Sequence, residues 1–348
     1  MEQTTAKKNK YEIDMCNGTI MDKLISFSLP LMLSGILQLM FNAVDIIVVG
    51  RFSGSQALAA VGSTSALINV FTNLFIGISL GANVLTARFY AAGREKEVSE
   101  TVHTAITLAL VSGIVMALVG LVFSKGALAL MGTPDDVIGL SALYMRIYFL
   151  GMPFFMLYNY GAAILRAVGD TKRPLLFLMI AGVINACLNM VLVIVFKLGV
   201  AGVAIATVIS QMISCVLVLR CLCRSESSYR LRFSELGMKG YYLKQIFSVG
   251  VPAGIQSTVI NFSNVLLQSS VNSFGSTAMA GYTAANNLLG FLYVSVNSIT
   301  QACMSFTSQN YGVGKLKRMD RVLADCMILS VVVAVVLGCI CYGFGPEI

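Results

Sequence analysis

A chain of 348 residues that is 57% hydrophobic and only 11% charged, with a mean hydropathy of +0.82, excludes a water-soluble protein. Soluble globular chains carry about 25% charged residues. The same composition excludes a disordered chain, a disulfide-rich secreted domain and a fibre, and leaves a polytopic all-α membrane protein. The formal net charge of +8 has to be placed on a topology before it is read as affinity for nucleic acid.

Met1–Leu24 is polar and mixed in charge, with no apolar core, so it reads as a cytosolic tail and not a signal peptide. A transmembrane helix needs about 20 mainly apolar residues. Nine segments qualify, near 25–50, 58–82, 101–123, 138–160, 174–197, 201–222, 246–271, 279–303 and 323–344. The short connection Lys197–Ala201 makes the fifth and sixth spans a hairpin, and Pro30 and Pro153 are expected to kink the first and fourth. With the N-terminus in the cytoplasm, 20 of the 24 Lys and Arg residues fall in the tail or in cytoplasmic loops. Only Arg51, Lys125 and Lys197 lie on the far side, with Arg146 inside the fourth span. That asymmetry follows the positive-inside rule and accounts for the charge without nucleic acid. It predicts a multi-pass protein of a bacterial-type plasma (inner) membrane, with the bilayer and small molecules as its partners.

The chain repeats itself. At an offset of 222, Pro30 falls on Pro252, Asn42 on Asn264 and Phe52 on Phe274; at 221, Ser55 falls on Ser276 and Tyr90-x-x-Gly93-Arg94-x-Lys96 on Tyr311-x-x-Gly314-Lys315-x-Lys317. An even number of spans in the first copy makes the copies parallel repeats about an axis normal to the membrane, an architecture of transporters. The expected organisation is a tail (1–24), a first lobe of six spans (25–223), an interlobe linker (224–242) and a partial second lobe of three spans (243–348). At the repeat period three further helices would complete the second lobe, so the sequence reads as a fragment of a twelve-helix protein.

Ionisable residues within spans are costly, about 2.5–3.5 kcal/mol on insertion scales. Asp45 lies well inside the first span with no cation within a helical turn. Burial disfavours its charge and a bound cation favours it, a competition suited to exchanging H⁺ or Na⁺; a structural carboxylate bonded to a neighbouring helix is the plainer reading. Neutral polar residues recur around it: Gln38 and Asn42 in the first span, Asn69 and Asn73 in the second, Asn185 and Asn189 in the fifth, and Gln256 and Asn264 in the seventh. Some are interhelical glue, and together they suit a broad, weakly selective cavity. The nine cysteines show no zinc-type pairing and read as small hydrophobes; the single histidine, His103, is given no role. There is no G-x-x-x-x-G-K-[ST] loop, no G-x-S-x-G elbow and no H-E-x-x-H helix. The chain is therefore expected not to be an enzyme, to need no cofactor and to be driven by an ion gradient.

Four stretches resemble the multidrug and toxic compound extrusion (MATE) family, in its DinF-like branch. They are Asn42–Gly54, Leu165-Arg166-Ala167-Val168-Gly169-Asp170-Thr171-Lys172-Arg173-Pro174, Gly199–Thr207 and Gln309-Asn310-Tyr311-Gly312. The resemblance implies two six-helix lobes, here nine helices with the second lobe incomplete, and a monomer that exports amphipathic, often cationic compounds by H⁺ or Na⁺ antiport. It also implies a cation or proton site at Asp45, Asn185, Asn189 and Thr207, and a hinge at Pro30. No metal is implied beyond Na⁺ at Asp45. Asn189 is a departure, since many relatives carry Asp there, and a single carboxylate favours H⁺ over Na⁺. A flippase for a lipid-linked precursor, or a non-functional truncated membrane protein, are the alternatives.

Overall fold

The computed structural model describes residues 11–272 and 276–344, and every regular element among them is helical. The α-helices are α1 (Met21–Phe52), α2 (Ser55–Ala91), α3 (Glu95–Leu130), α4 (Asp135–Leu150), α5 (Met152–Ala167), α6 (Lys172–Asn189), α7 (Gly199–Cys223), α8 (Gly240–Asn272), α9 (Ser276–Gly312) and α10 (Leu316–Phe344). A π-helical segment, Met190–Val195, continues α6, and a short 3₁₀ turn, Phe233–Glu235, lies in the connection to α8. Six of the helices are each long and apolar enough to cross a membrane, and α4 with α5 forms a seventh such unit. α8 and α9 are also long, at 33 and 37 residues.

The fourth expected span, 138–160, is therefore not one helix. It breaks at Gly151 into α4 and α5, which are bent by 48°. Pro153 sits in the first turn of α5, where its missing N–H costs no intrahelical bond. By contrast α1 runs unbroken through Pro30. The missing Pro30 N–H leaves the Ser26 carbonyl without its i+4 donor, and one turn on the Ser34 hydroxyl donates back to the Pro30 carbonyl at 2.8 Å.

The main apolar core lies among α2, α3, α4, α5 and α7, around Phe149, Met152, Met156, Tyr160 and Leu165. A smaller core joins the first half of α1 to α9 and α10 through Leu24, Phe27, Leu31, Ile299, Ala302 and Phe306. Phe27 and Phe306 meet edge to face at 5.6 Å. α1 is thus shared between two neighbourhoods. Its first half packs on α9, which in turn carries α10, and its second half packs on α6 and α7.

α2 and α8 approach through two small-residue pairs, Gly77-x-x-x-Gly81 and Gly250-x-x-x-Gly254, facing each other. A Cβ at Gly250 would stand 2.5 Å from the Ile78 Cα, and one at Gly77 would overlap the Gly254 backbone. Without a hydrophobic driving force between helices in lipid, such backbone proximity is what gives dispersion contact its strength. The internal repeat maps these glycines onto Ser28 and Met32 of α1 and onto Ser298 and Ala302 of α9, and α1 and α9 do pack together. The α2–α8 and α1–α9 contacts are therefore repeat-related copies of one arrangement. Both lie at the end of the bundle that carries residues 11–20.

Residues 11–20, expected to be part of a solvated tail, are packed against that end. Met15 is fully buried in the smaller core. Residues 1–10 and 345–348 lie outside the described residues.

Candidate functional site: a carboxylate ring between three helices

Asp45 lies in the second half of α1, only 8% exposed. The i, i+4 spacing of Asn185 and Asn189 puts both amides on one face of α6, and that face meets Asp45. The Asn189 amide donates both to Asp45 Oδ1 and, at 3.1 Å, to Asn185 Oδ1. Asn185 donates in turn to the Thr207 hydroxyl of α7 at 3.5 Å, and that hydroxyl stands 3.5 Å from Asp45 Oδ2. The four residues close a ring, Asp45–Asn189–Asn185–Thr207. Its members come from α1, α6 and α7.

The groups that meet the carboxylate in this ring are neutral, and the ion pairs among the described residues all lie elsewhere. One buried acceptor, Asn189 Oδ1, has no hydrogen-bond partner. A buried carboxylate and an unpaired carbonyl oxygen on one ring leave acceptor capacity for a proton or a small cation. No group of three or more His, Cys, Asp or Glu residues with metal-binding geometry occurs among the described residues.

α6 turns π-helical immediately after Asn189, and Gly202 of α7 lies against Leu192 in that wider turn. Single π turns inside helices recur at functional sites. A cleft of about 490 Å³ opens two helical turns further along α1, lined by Phe52, Ser53, Val193, Ile194, Lys197 and Gly199.

The other expected polar residues are not drawn into this ring. Gln38, Asn42, Asn69, Gln256 and Asn264 are exposed, and Asn73 is half-buried. Pro30 is buried in the first half of α1, fifteen residues from Asp45. Sequence reasoning missed three neighbours. Tyr144 and Tyr148, stacked at 6.1 Å on α4, lie within electrostatic reach of Asp45. Gln211 contacts Tyr148 and follows Thr207 by four residues on α7, a spacing legible in the sequence. His103, given no role from the sequence, is buried and fastened. Its Nδ1 lies 2.6 Å from the Ser99 carbonyl and its Nε2 accepts the Arg232 N–H at 3.0 Å, which docks the 224–239 connection on α3.

The MatE family model matches residues 30–191 and 252–348, two segments that fall on the two copies of the repeat. The chain is 34% identical over 331 residues to the probable multidrug resistance protein YoeA of Bacillus subtilis, covering 92% of this chain and 71% of that protein. It is 22% identical over 321 residues to the multidrug export protein MepA of Staphylococcus aureus, covering 91% and 70%. A solved structure described as the outward-facing conformation of a multidrug resistance MATE family transporter superimposes with a TM-score of 0.91 at 21% identity, covering 98% of this chain and 76% of that one. A helical membrane fold, a two-part family match and this degree of identity lead to one conclusion: the chain belongs to the MATE family of multidrug efflux transporters.

Proposed function

We propose that the protein is a secondary active exporter of amphipathic, cationic compounds, driven by exchange for H⁺ at Asp45. The observation that carries this reading is the ring itself. A buried carboxylate met by neutral amide and hydroxyl groups, with no Lys or Arg among the described residues paired to it, keeps its charge only when a cation arrives to balance it. A single carboxylate is a poor cage for Na⁺, which favours several negative oxygens, whereas one proton satisfies it fully. The names of the relatives YoeA and MepA supply the drug-export half of the reading.

α1 supplies the connection between ion and cargo. Its second half holds Asp45 against α6 and α7, and its first half packs on α9. A proton that releases Asp45 from Asn189 frees the second half of α1 to move, with Pro30, in the first half of the helix, as the weak point from which it swings. The cavity beside α1 then shrinks and expels its occupant away from the tail end. In this reading the N-terminus is cytoplasmic, in keeping with the Lys and Arg distribution, and the protein works as a monomer in a bacterial plasma membrane.

The test is efflux of a fluorescent organic cation from proteoliposomes under an imposed pH gradient or an imposed Na⁺ gradient. The expected result is export under the pH gradient alone, abolished by Asp45→Asn with membrane insertion intact. Unchanged export by that variant would overturn the reading.

A further inference from the structure

The segment before α1 is held from both sides of the bundle. On one side Glu12 accepts hydrogen bonds from Tyr90 at the end of α2, at 2.8 Å, and from the fully buried Tyr229 of the 224–239 connection, at 2.7 Å. The Ile13 N–H donates to the Gly169 carbonyl between α5 and α6 at 3.2 Å. Gly169 has φ +98°, and a Cβ there would stand 2.6 Å from the Ile13 carbonyl oxygen, so the approach requires glycine. Tyr11 lies under the Arg173 guanidinium at 5.6 Å.

On the other side Met15 is sealed into the core formed by α1, α9 and α10. Asn310 of α9 donates to the Met15 carbonyl at 3.1 Å. Lys315 reaches the Cys16 carbonyl and Asn17 Oδ1, both at 2.9 Å, and Arg318 donates to the Asn17 carbonyl at 3.1 Å. Lys23 of α1 closes the loop on the Asp14 and Asn17 carbonyls at 2.7 and 2.6 Å.

We propose that residues 11–17 are a latch that joins the tail ends of the first six spans to those of the last three, and that Glu12 is its releasable end. The argument is one of relative strength. The α9–α10 side combines a buried apolar anchor with two cations and an amide, Lys23 of α1 adds a third cation, and the chain runs directly from there into α1. The opposite side rests on Glu12, one backbone bond and a ring contact. Charge-assisted bonds to two phenols are strong while dry, yet all three groups regain water when the segment lifts. The α2–α8 and α1–α9 contacts beneath the latch are shut at this same end. A state that opens the cavity to the tail side by parting α2 from α8 leaves the Met15 side in place, and Glu12 then lets go first. This step rests on the transport reading, because only an alternating cycle requires these ends to separate.

The test uses the full chain in lipid nanodiscs, with azide-bearing residues at Lys96 of α3 and Arg321 of α10 click-labelled with a donor and acceptor dye pair. Single-molecule energy transfer then reports the separation of the tail ends. Glu12→Ala is expected to raise the long-distance population about ten-fold, the scale of one or two lost charge-assisted bonds. A second form carries a protease site between Thr19 and Ile20 and is cut after folding, so that it does not depend on the variant folding. Washing away the released peptide is expected to give the same rise, and adding back a synthetic peptide of residues 1–19 to reverse it. An unchanged distance distribution in the cut, washed protein would overturn the latch. Dye efflux by the uncut protein is measured alongside: its absence would sink the transport reading and leave the distance result standing by itself.

Discussion

Asn189 of α6 holds Asp45 of α1 through its amide nitrogen and leaves its own carbonyl oxygen buried and unpaired. An Asp at this position would reverse that chemistry, replacing a donor with a second acceptor beside the first carboxylate. Two adjacent carboxylates do not both ionise without a shared proton or cation between them. Asn189→Asp is therefore expected to let a Na⁺ gradient alone drive dye efflux, which the proposed H⁺ coupling denies to the unaltered protein. The check is the ratio of the two gradient-driven rates in proteoliposomes. An unchanged ratio would mean that Asn189 does not select the coupling ion.

Thr207 contributes a hydroxyl and a methyl group, and the two are separable. Thr207→Val keeps the shape and removes the group that meets both Asp45 and Asn185. Leaving buried partners unsatisfied costs about 1–3 kcal/mol, so export is expected to fall about ten-fold or more. Thr207→Ser keeps the hydroxyl and is expected to stay within about three-fold of the unaltered rate, given that factors of ten correspond to about 1.4 kcal/mol. Equal losses in both variants would assign Thr207 to packing.

Asp45 and the same-face pair Asn185/Asn189 were legible as local patterns, whereas their grouping with each other and with Thr207 came only from the resemblance to the MATE family. Seven of the nine expected spans were legible as runs of apolar residues, and the segments expected as the seventh and eighth form the long helices α8 and α9. Other features depend on contacts between distant segments. Residues 11–20 look like a solvated tail because they are polar, yet much of their bonding runs through backbone carbonyls that composition does not report. The π-helical segment Met190–Val195 is an ordinary apolar run in the sequence. Pro153 signalled a bend, but the full break at Gly151 also needs α3 against the Pro153 backbone, where Gly113 leaves room. The Asn and Gln residues expected along a substrate path divide between exposed and half-buried positions, and polarity by itself gave no way to sort them.

The α2–α8 contact gives a direct test of packing. Gly77→Ala places a methyl group on the Gly254 backbone, and Gly254→Ala places one on Leu74. Overpacking of this kind costs about 1–3 kcal/mol, so both variants are expected to lower the unfolding temperature in detergent. Gly139 in α4 and Gly126 in α3 have open space around the position of a Cβ. Their Ala variants are expected to be neutral or slightly stabilising, because Gly costs about 0.5–1 kcal/mol relative to Ala inside a helix. Four equal shifts would show that helix propensity, not the close approach of α2 and α8, sets the result.

Asp170 separates capping from ion pairing at the α5–α6 turn. Its fully buried carboxylate accepts the N–H groups of Lys172 and Arg173, both at 3.1 Å, and pairs with the Arg173 guanidinium. Arg173 in turn reaches Cys221 at 3.1 Å on α7. Asp170→Ala removes the cap and leaves a largely buried cation without its partner, a loss of about 3–5 kcal/mol for a broken buried pair. Asp170→Asn keeps one acceptor oxygen for the two N–H groups while weakening the pair. It is expected to fall between the two, nearer to the unaltered protein if the cap dominates and nearer to Ala if the ion pair does. Unfolding temperatures of the three proteins in the same detergent decide between them. A neutral Asp170→Ala would show that the turn is held by its packing alone, with Arg173 reaching water once released.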